Sequence, residues 1–585
     1  MYDEHIQLAE QAFGIKEPIK IEQPLTEIIK KNFNKRQPKN VILTGTAGDG
    51  KTYYCRQLWK ELGGKSEDWT DNNKHIKSIS LPAAKKKITI VKDLSELNPR
   101  EKKKLLKDLT AAVKNRSSNE VFLVAANDGQ LLTSWRDWSK DHEEDHTFNL
   151  VETMLVDEQE EHKSLQLLLV NLSRQDAAEH FRKVVEAIVE HPQWQECADC
   201  QILEDENEPP TCAIRINRQK LRDNADGTQP VFLQRLCDLL TISRANRMHS
   251  TIRDLLLLTV NIILGVQNTR TQAPLLDCNT AKDHDYKATN PYANVFGRNL
   301  PNAQREQYHL FTTLEAFNIG YETDNAFDNA LIFSPDDDPD FPTDDHYGAS
   351  TYEELQKKYT DEENLTLEDR TDFLEALAVQ RQRLFFSLPQ SSNLNCWHLT
   401  VSQEAGRFLE FVKGLKEKKD VSQTEELLIQ GLNRTFCGMM IEDGTMLWLA
   451  SSGGDGRGKI ATIKELSLQA TKHAHFPYVC FTLPENEFVP KLQIRDPADD
   501  AALDHVTLQP THFEYLIRIA QGSLPASFSR QYYEEFLDCK LRFIEKLDKF
   551  KNSSNDPEKI SLEVLEVDPK RGKITSRDLK MRLQS

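Results

Sequence analysis

The run Gly45-Thr46-Ala47-Gly48-Asp49-Gly50-Lys51-Thr52 spaces its glycines, lysine and hydroxyl as G-x-x-x-x-G-K-[ST]. Glycines at those positions let successive backbone N–H groups turn inward around phosphate oxygens, at the positive end of a following helix. Lys51 is then expected to reach the β- and γ-phosphates of a nucleotide, and the Thr52 hydroxyl to ligate Mg²⁺. Such a loop needs a strand before it and a helix after it. Val41-Ile42-Leu43-Thr44 is a short apolar, β-branched run that reads as a buried strand. Tyr54, Leu58 and Leu62 then recur at helical spacing, and Gly63-Gly64 supply a stop.

Magnesium beside a phosphate loop also needs an acid at the end of another strand. Two places compete for that role. Asp93 follows the apolar strand Ile88 to Val91, with Glu96 three residues further on. Asp157-Glu158 follows Met154-Leu155-Val156, but Leu150, Val151, Met154 and Leu155 fall at helical spacing, so a helix is expected there. Order along the chain also favours Asp93, because the next strand, Val121 to Ala126, ends at the polar Asn127.

With these residues in this order, positions 36 to 270 resemble the AAA+ ATPases and their relatives among the P-loop NTPases. The resemblance implies ATP as ligand, Mg²⁺ on Thr52 and Asp93, and Asn127 orienting the attacking water or the γ-phosphate. It also implies a helical lid. His249-Ser250-Thr251-Ile252-Arg253-Asp254-Leu255-Leu256 looks like the helix that carries an arginine to the nucleotide, here Arg253. The chain departs from the family in one respect. Members typically place a water-polarising glutamate directly after the strand-end aspartate, whereas Leu94 and Ser95 intervene before Glu96. Ring-forming members act in trans through an arginine, which implies a homo-oligomer; Arg136, Arg174, Arg244 and Arg247 all stand open for that role. The layout is also similar to that of the ATPase subunits of bacterial phosphorothioation-dependent DNA restriction, an anti-phage defence. That resemblance implies partner proteins in a multi-subunit complex, and DNA. Two functions follow: an ATPase whose cycle drives conformational change in such a complex, or a slow-turnover nucleotide switch that controls a partner.

Ten cysteines without an export signal argue for reduced thiols. Cys197 and Cys200 form a C-x-x-C pair, the turn that presents two thiolates to one tetrahedral Zn²⁺ ion. Cys212 is then the third ligand and His191 the fourth, around an acidic loop from Glu204 to Pro210. Unligated thiols on a helical hairpin are the alternative, since a second C-x-x-C or H-x-H pair is absent.

A chain of 585 residues exceeds one hydrophobic core. Its 28% charged and 38% hydrophobic residues are ordinary for a globular protein. No stretch is long and apolar enough to span a bilayer, so a cytoplasmic protein without membrane contact is expected. A net charge of −18 argues against non-specific coating of nucleic acid, although basic runs at 85–87, 102–104 and 570–582 allow local contact. Aromatic and basic residues interleave at Arg381, Arg383, Phe385 and Phe386 and at Gly431 to Phe436. Stacking of nucleic acid is one reading of them, and core aromatics beside satisfied arginines the favoured one. The aspartates at 336–338 and 340 are expected to form a solvated acidic loop. The fold class expected is α/β: a parallel P-loop sheet over residues 1–180, a helical lid with a cysteine-bearing insertion over 181–270, a mainly helical accessory domain over 271–430, and an α+β domain with a basic tail over 431–585.

Overall fold

A computed structural model describes residues 19–21, 24–70, 75–115, 118–142, 145–157, 159–200, 212–224, 227–266, 275–278, 281, 289–333, 349–361, 365–389, 392–438, 444–449, 460–463, 467–469, 477–485, 487–551, 559–567 and 574–582. The chain divides into two compact units. The first comprises Met1–Thr241, His249–Glu315 and Asp344–Ala349, and the second Ile242–Met248, Ala316–Thr343 and Ser350–Ser585. The acidic run at 336–340, the Glu204 to Pro210 loop and the first part of the basic tail lie outside the described residues.

The first unit is built on a five-stranded sheet of β1 (Asn40–Thr44), β2 (Ile76–Leu81), β3 (Lys86–Val91), β4 (Glu120–Ala125) and β5 (Leu167–Asn171). Their spatial order is β2-β3-β4-β1-β5. β1 runs parallel to β4 and β5, and β3 parallel to β4. The expectation of a parallel sheet needs one correction, because β2 is antiparallel to β3. The cause is the connection: only 82–85 join the two strands, with Lys85 at a positive φ of 52°, and a hairpin turn of that length cannot accommodate a crossover helix. All five residues of β1 are buried, as a central parallel strand requires.

Alternation along the strands sends side chains into two cores. Ile42, Val91 and Val124 face one side with Leu105, Leu109 and Trp135. Val41, Leu43, Ile88, Ile90 and Leu123 face the other with Tyr54, Leu58 and Phe33. Full burial of each such aliphatic side chain contributes roughly 1.5–3 kcal/mol. The helix Pro99–Lys114 begins with a capping box in which Asn98 and Glu101 satisfy each other's backbone N–H groups. Asp145–Val156 is helical, as the spacing of its apolar residues requires, so Asp157 does not end a strand.

The second unit carries a five-stranded sheet, mainly antiparallel, and a separate antiparallel sheet of three strands. The final helical stretch is two helices, Pro510–Ala520 and Arg530–Lys551, and the basic tail contributes the strand Ile574–Arg582. Most of the interleaved aromatic and basic residues are buried. Arg381 is buried and ion-paired with Asp328 at 2.6 Å, while Phe385 and Phe386 are enclosed. In the second cluster, Arg434 donates to the Ile519 carbonyl at 2.8 Å and Phe436 is buried. Arg381 is thus held inside the fold, and Arg434, half-buried, spends a donor on a backbone carbonyl.

Candidate phosphate-binding site

The register brings the expected residues to one edge of the sheet. Leu43 pairs with Ala125, Thr44 with Asn171, and Val91 with Val124. The chain segments that follow these residues, Gly45 onward, Asp93, Asn127-Asp128 and Ser173, therefore leave the same edge. In open α/β sheets this carboxyl edge is where ligands are received.

The loop itself is shaped by its glycines. Gly45, Gly48 and Gly50 have φ of 137°, 106° and 84°, a region that residues with a Cβ rarely adopt. Space is limiting as well, since a Cβ on Gly45 would stand 2.6 Å from Asp49 Oδ2, and one on Gly48 2.8 Å from Thr251 Oγ1. Gly50 caps the helix Lys51–Glu61, whose first residues are Lys51 and Thr52. Lys51 is 8% exposed, and its Nζ donates to the Gly45 carbonyl at 2.9 Å and the Thr46 carbonyl at 2.6 Å. Burial pulls its pKa down, while Asp49, Asp93 and Asp128 act against that. The ammonium thus sits inside the loop with three carboxylates within electrostatic reach.

Asp93 caps the short turn Leu94–Glu96, and its Oδ1 accepts from Ser95 N at 2.8 Å and Ser95 Oγ at 2.7 Å. Glu96 is turned to His75, with Oε2 to Nδ1 at 2.9 Å. Asn127 precedes the helix Asp128–Asp141 without using its side chain as a cap. Arg253 lies in the first turn of the helix Ile252–Leu264 and donates its backbone N–H to the Gly48 carbonyl at 3.4 Å. The head of that helix therefore rests on the loop. Of the remaining arginines, Arg136 pairs with Glu152 at 2.6 Å, Arg174 ends the turn Leu172–Arg174 after β5, and Arg244 lies over the Phe488 ring within the second unit. Arg247 adopts a positive φ of 65°.

Three residues bond to the loop in ways that the sequence reading did not assign, His249 among them although its segment was named. Asp128 Oδ1 accepts from the Gly45 N–H at 3.1 Å, and its Oδ2 lies 3.4 Å from Asn171 Nδ2. Ser173 donates to Asp49 at 2.8 Å and accepts from Thr46 N–H at 3.2 Å. His249 Nε2 lies 2.7 Å from Asp49 Oδ1. Asp49 is 3% exposed, and burial works against its charge; the bonds from His249, Ser173 and Thr46 overcome this and hold its carboxyl below the ordinary value. A signal for the His249 segment was present in the sequence. Thr251 and Asp254 form the capping box that starts the helix, which places His249 just outside its first turn.

The cysteine expectation fares differently. Among the described residues, no group of three or more His, Cys, Asp or Glu side chains is arranged to hold a metal ion. His191 caps the turn Pro192–Asp199, its Nδ1 accepting from Gln193 N–H at 3.4 Å. Cys212 caps the helix Ala213–Gln219 without a side-chain bond. The Cys197 thiol is pushed up by burial and by the neighbouring thiols of Cys278, Cys212 and Cys200. Cys278, 66 residues beyond Cys212, is the neighbour that spacing did not reveal.

No protein-family model, no curated protein and no solved structure matches the chain. Among the described residues, no helix is long and apolar enough to cross a membrane.

Proposed function

We propose that Gly45 to Thr52 binds the phosphates of ATP with Mg²⁺, and that the protein is an AAA+-like ATPase whose cycle drives conformational change in a partner complex. The observation that carries the reading is the strand order. β4 separates β1 from β3, so Asp93 and Asn127 follow neighbouring strands out of the same sheet edge as the loop. Thr52 and Asp93 are the residues for Mg²⁺, Asn127 for the attacking water or γ-phosphate, and Arg253 for the nucleotide from the lid side. A DNA-processing or anti-phage defence complex is the setting that the layout favours.

A second reading, a slow-turnover switch that controls a partner effector, is supported by one observation. Glu96 is engaged by His75, and no carboxylate directly follows Asp93. The hydrolysis rate with and without duplex DNA separates the two. Stimulation by DNA supports the motor; tight ATP binding with negligible turnover under both conditions supports the switch. Hydrolysis that survives Asp93→Asn undiminished contradicts the assignment of the metal acid.

A further inference from the structure

The phosphate loop contains a buried carboxylate where an anion is meant to bind, and that conflict has a local answer. Asp49 Oδ2 accepts from Thr46 N–H at 2.6 Å, Thr46 Oγ1 at 3.1 Å and Ser173 Oγ at 2.8 Å. Its other oxygen, Oδ1, receives His249 Nε2 at 2.7 Å, across 200 residues of sequence. A carboxylate oxygen accepts, so the imidazole N–H at Nε2 is the donor of this bond. Two residues beyond His249, Thr251 fills the space left by the missing side chain of Gly48, and Arg253 N–H reaches the Gly48 carbonyl at 3.4 Å. The loop and the head of the Ile252–Leu264 helix thus meet through the His249–Asp49 pair, the Arg253–Gly48 backbone bond and the packing of Thr251 against Gly48.

We propose that Asp49 and His249 form a latch that fastens the lid helix onto the phosphate loop, so that the lid helps set how tightly nucleotide phosphate is held. The inference rests on the reading of the loop as a nucleotide site. Its physical basis is simple. Asp49 would repel a triphosphate bound beside it, and a donor from the lid offsets that repulsion while drawing the helix head over the loop. Neither residue touches the reacting atoms in this account; both act by positioning and by charge. Coupling of this kind is typically worth a factor of roughly 5 to 150 in affinity.

The test is a double-mutant cycle read by titration of full-length protein with Mg²⁺-ATP, alongside amide hydrogen exchange of residues 249–255 without nucleotide. His249→Ala is expected to weaken ATP binding by roughly tenfold and to speed exchange at the helix head. Adding Asp49→Asn should recover most of the affinity, because the negative charge that has lost its donor from the lid is then gone; a purely structural loss would not be rescued this way. His249→Gln, which keeps a donor, should lie between wild type and His249→Ala. Wild-type affinity in His249→Ala, or a double variant as weak as the single one, overturns the latch. Wild-type protein that binds no ATP overturns the nucleotide reading instead, and with it the role of the latch in affinity; the exchange measurement alone still decides whether the pair fastens the helix.

Discussion

At the scale of single residues, two carboxylates carry testable consequences, one in each unit. In the first, Asp93 is half-buried at the sheet edge that the Gly45–Thr52 loop also leaves, and Ser95 steadies it from one side. Asp93→Asn should leave nucleotide binding without Mg²⁺ near wild type and lower Mg²⁺-dependent hydrolysis at least tenfold, by an effect of more than about 1.4 kcal/mol on the barrier. Steady-state rates over a Mg²⁺ series check this. In the second unit, burial pushes Glu514 up from 4.5 to about 7, with Arg518 at 3.3 Å opposing the shift and Glu404 adding to it. The folded state therefore holds this proton more tightly than the unfolded chain does. Its contribution is full below pH 4.5 and is lost as pH rises through 7, a difference of about 3 kcal/mol. Glu514→Gln should flatten the fall in stability between pH 5 and 8, as read from denaturant midpoints. An unchanged slope would contradict the burial argument.

At the scale of elements, the strands and helices that position the loop were written plainly in the sequence. β-branched, continuously apolar runs mark β1, β3 and β4 as strands buried on both faces, and the 3.6-residue spacing of Leu150 to Leu155 marks a helix. The direction of β2 was less legible, because hydrophobic pattern does not distinguish parallel from antiparallel pairing. A short turn at 82–85 decided it. Close approach between elements leaves a trace as well. Gly431 in the helix Ser422–Cys437 lets Pro510–Ala520 approach so closely that an added Cβ would stand 2.2 Å from the Leu516 carbonyl oxygen. Gly431→Ala gains helix propensity but must push two backbones apart, so a net destabilisation of roughly 1–3 kcal/mol is expected in chemical denaturation. A neutral or stabilising result would show that the helices separate at no cost.

At the scale of the whole molecule, the site is assembled from segments far apart in the chain, and that set the limit of what sequence could tell. Gly45 to Thr52, Asp93 and Asn127 each carry a local mark, a glycine spacing or a polar residue closing an apolar strand. Asp128, Ser173 and His249 carry little, since their importance comes from contacts across 83, 124 and 200 residues. The same holds for the thiols, where Cys278 joins the neighbourhood of Cys197 through the fold alone. Protection from amide exchange by Mg²⁺-ATP should therefore appear in four separated segments of the first unit, around 45–52, 93–96, 127–128 and 249–255. Protection confined to 45–52 would argue that the other segments do not contribute to the site.

The central claim is that Lys51 and its loop hold nucleotide phosphate. Equilibrium titration of Mg²⁺-ATP into wild type and Lys51→Ala, with folding of both verified by circular dichroism, tests it most directly. Saturable binding by wild type that weakens at least a hundredfold in Lys51→Ala, about 2.7 kcal/mol or more, is the result expected. Equal binding by the two proteins, or none by wild type, would contradict it.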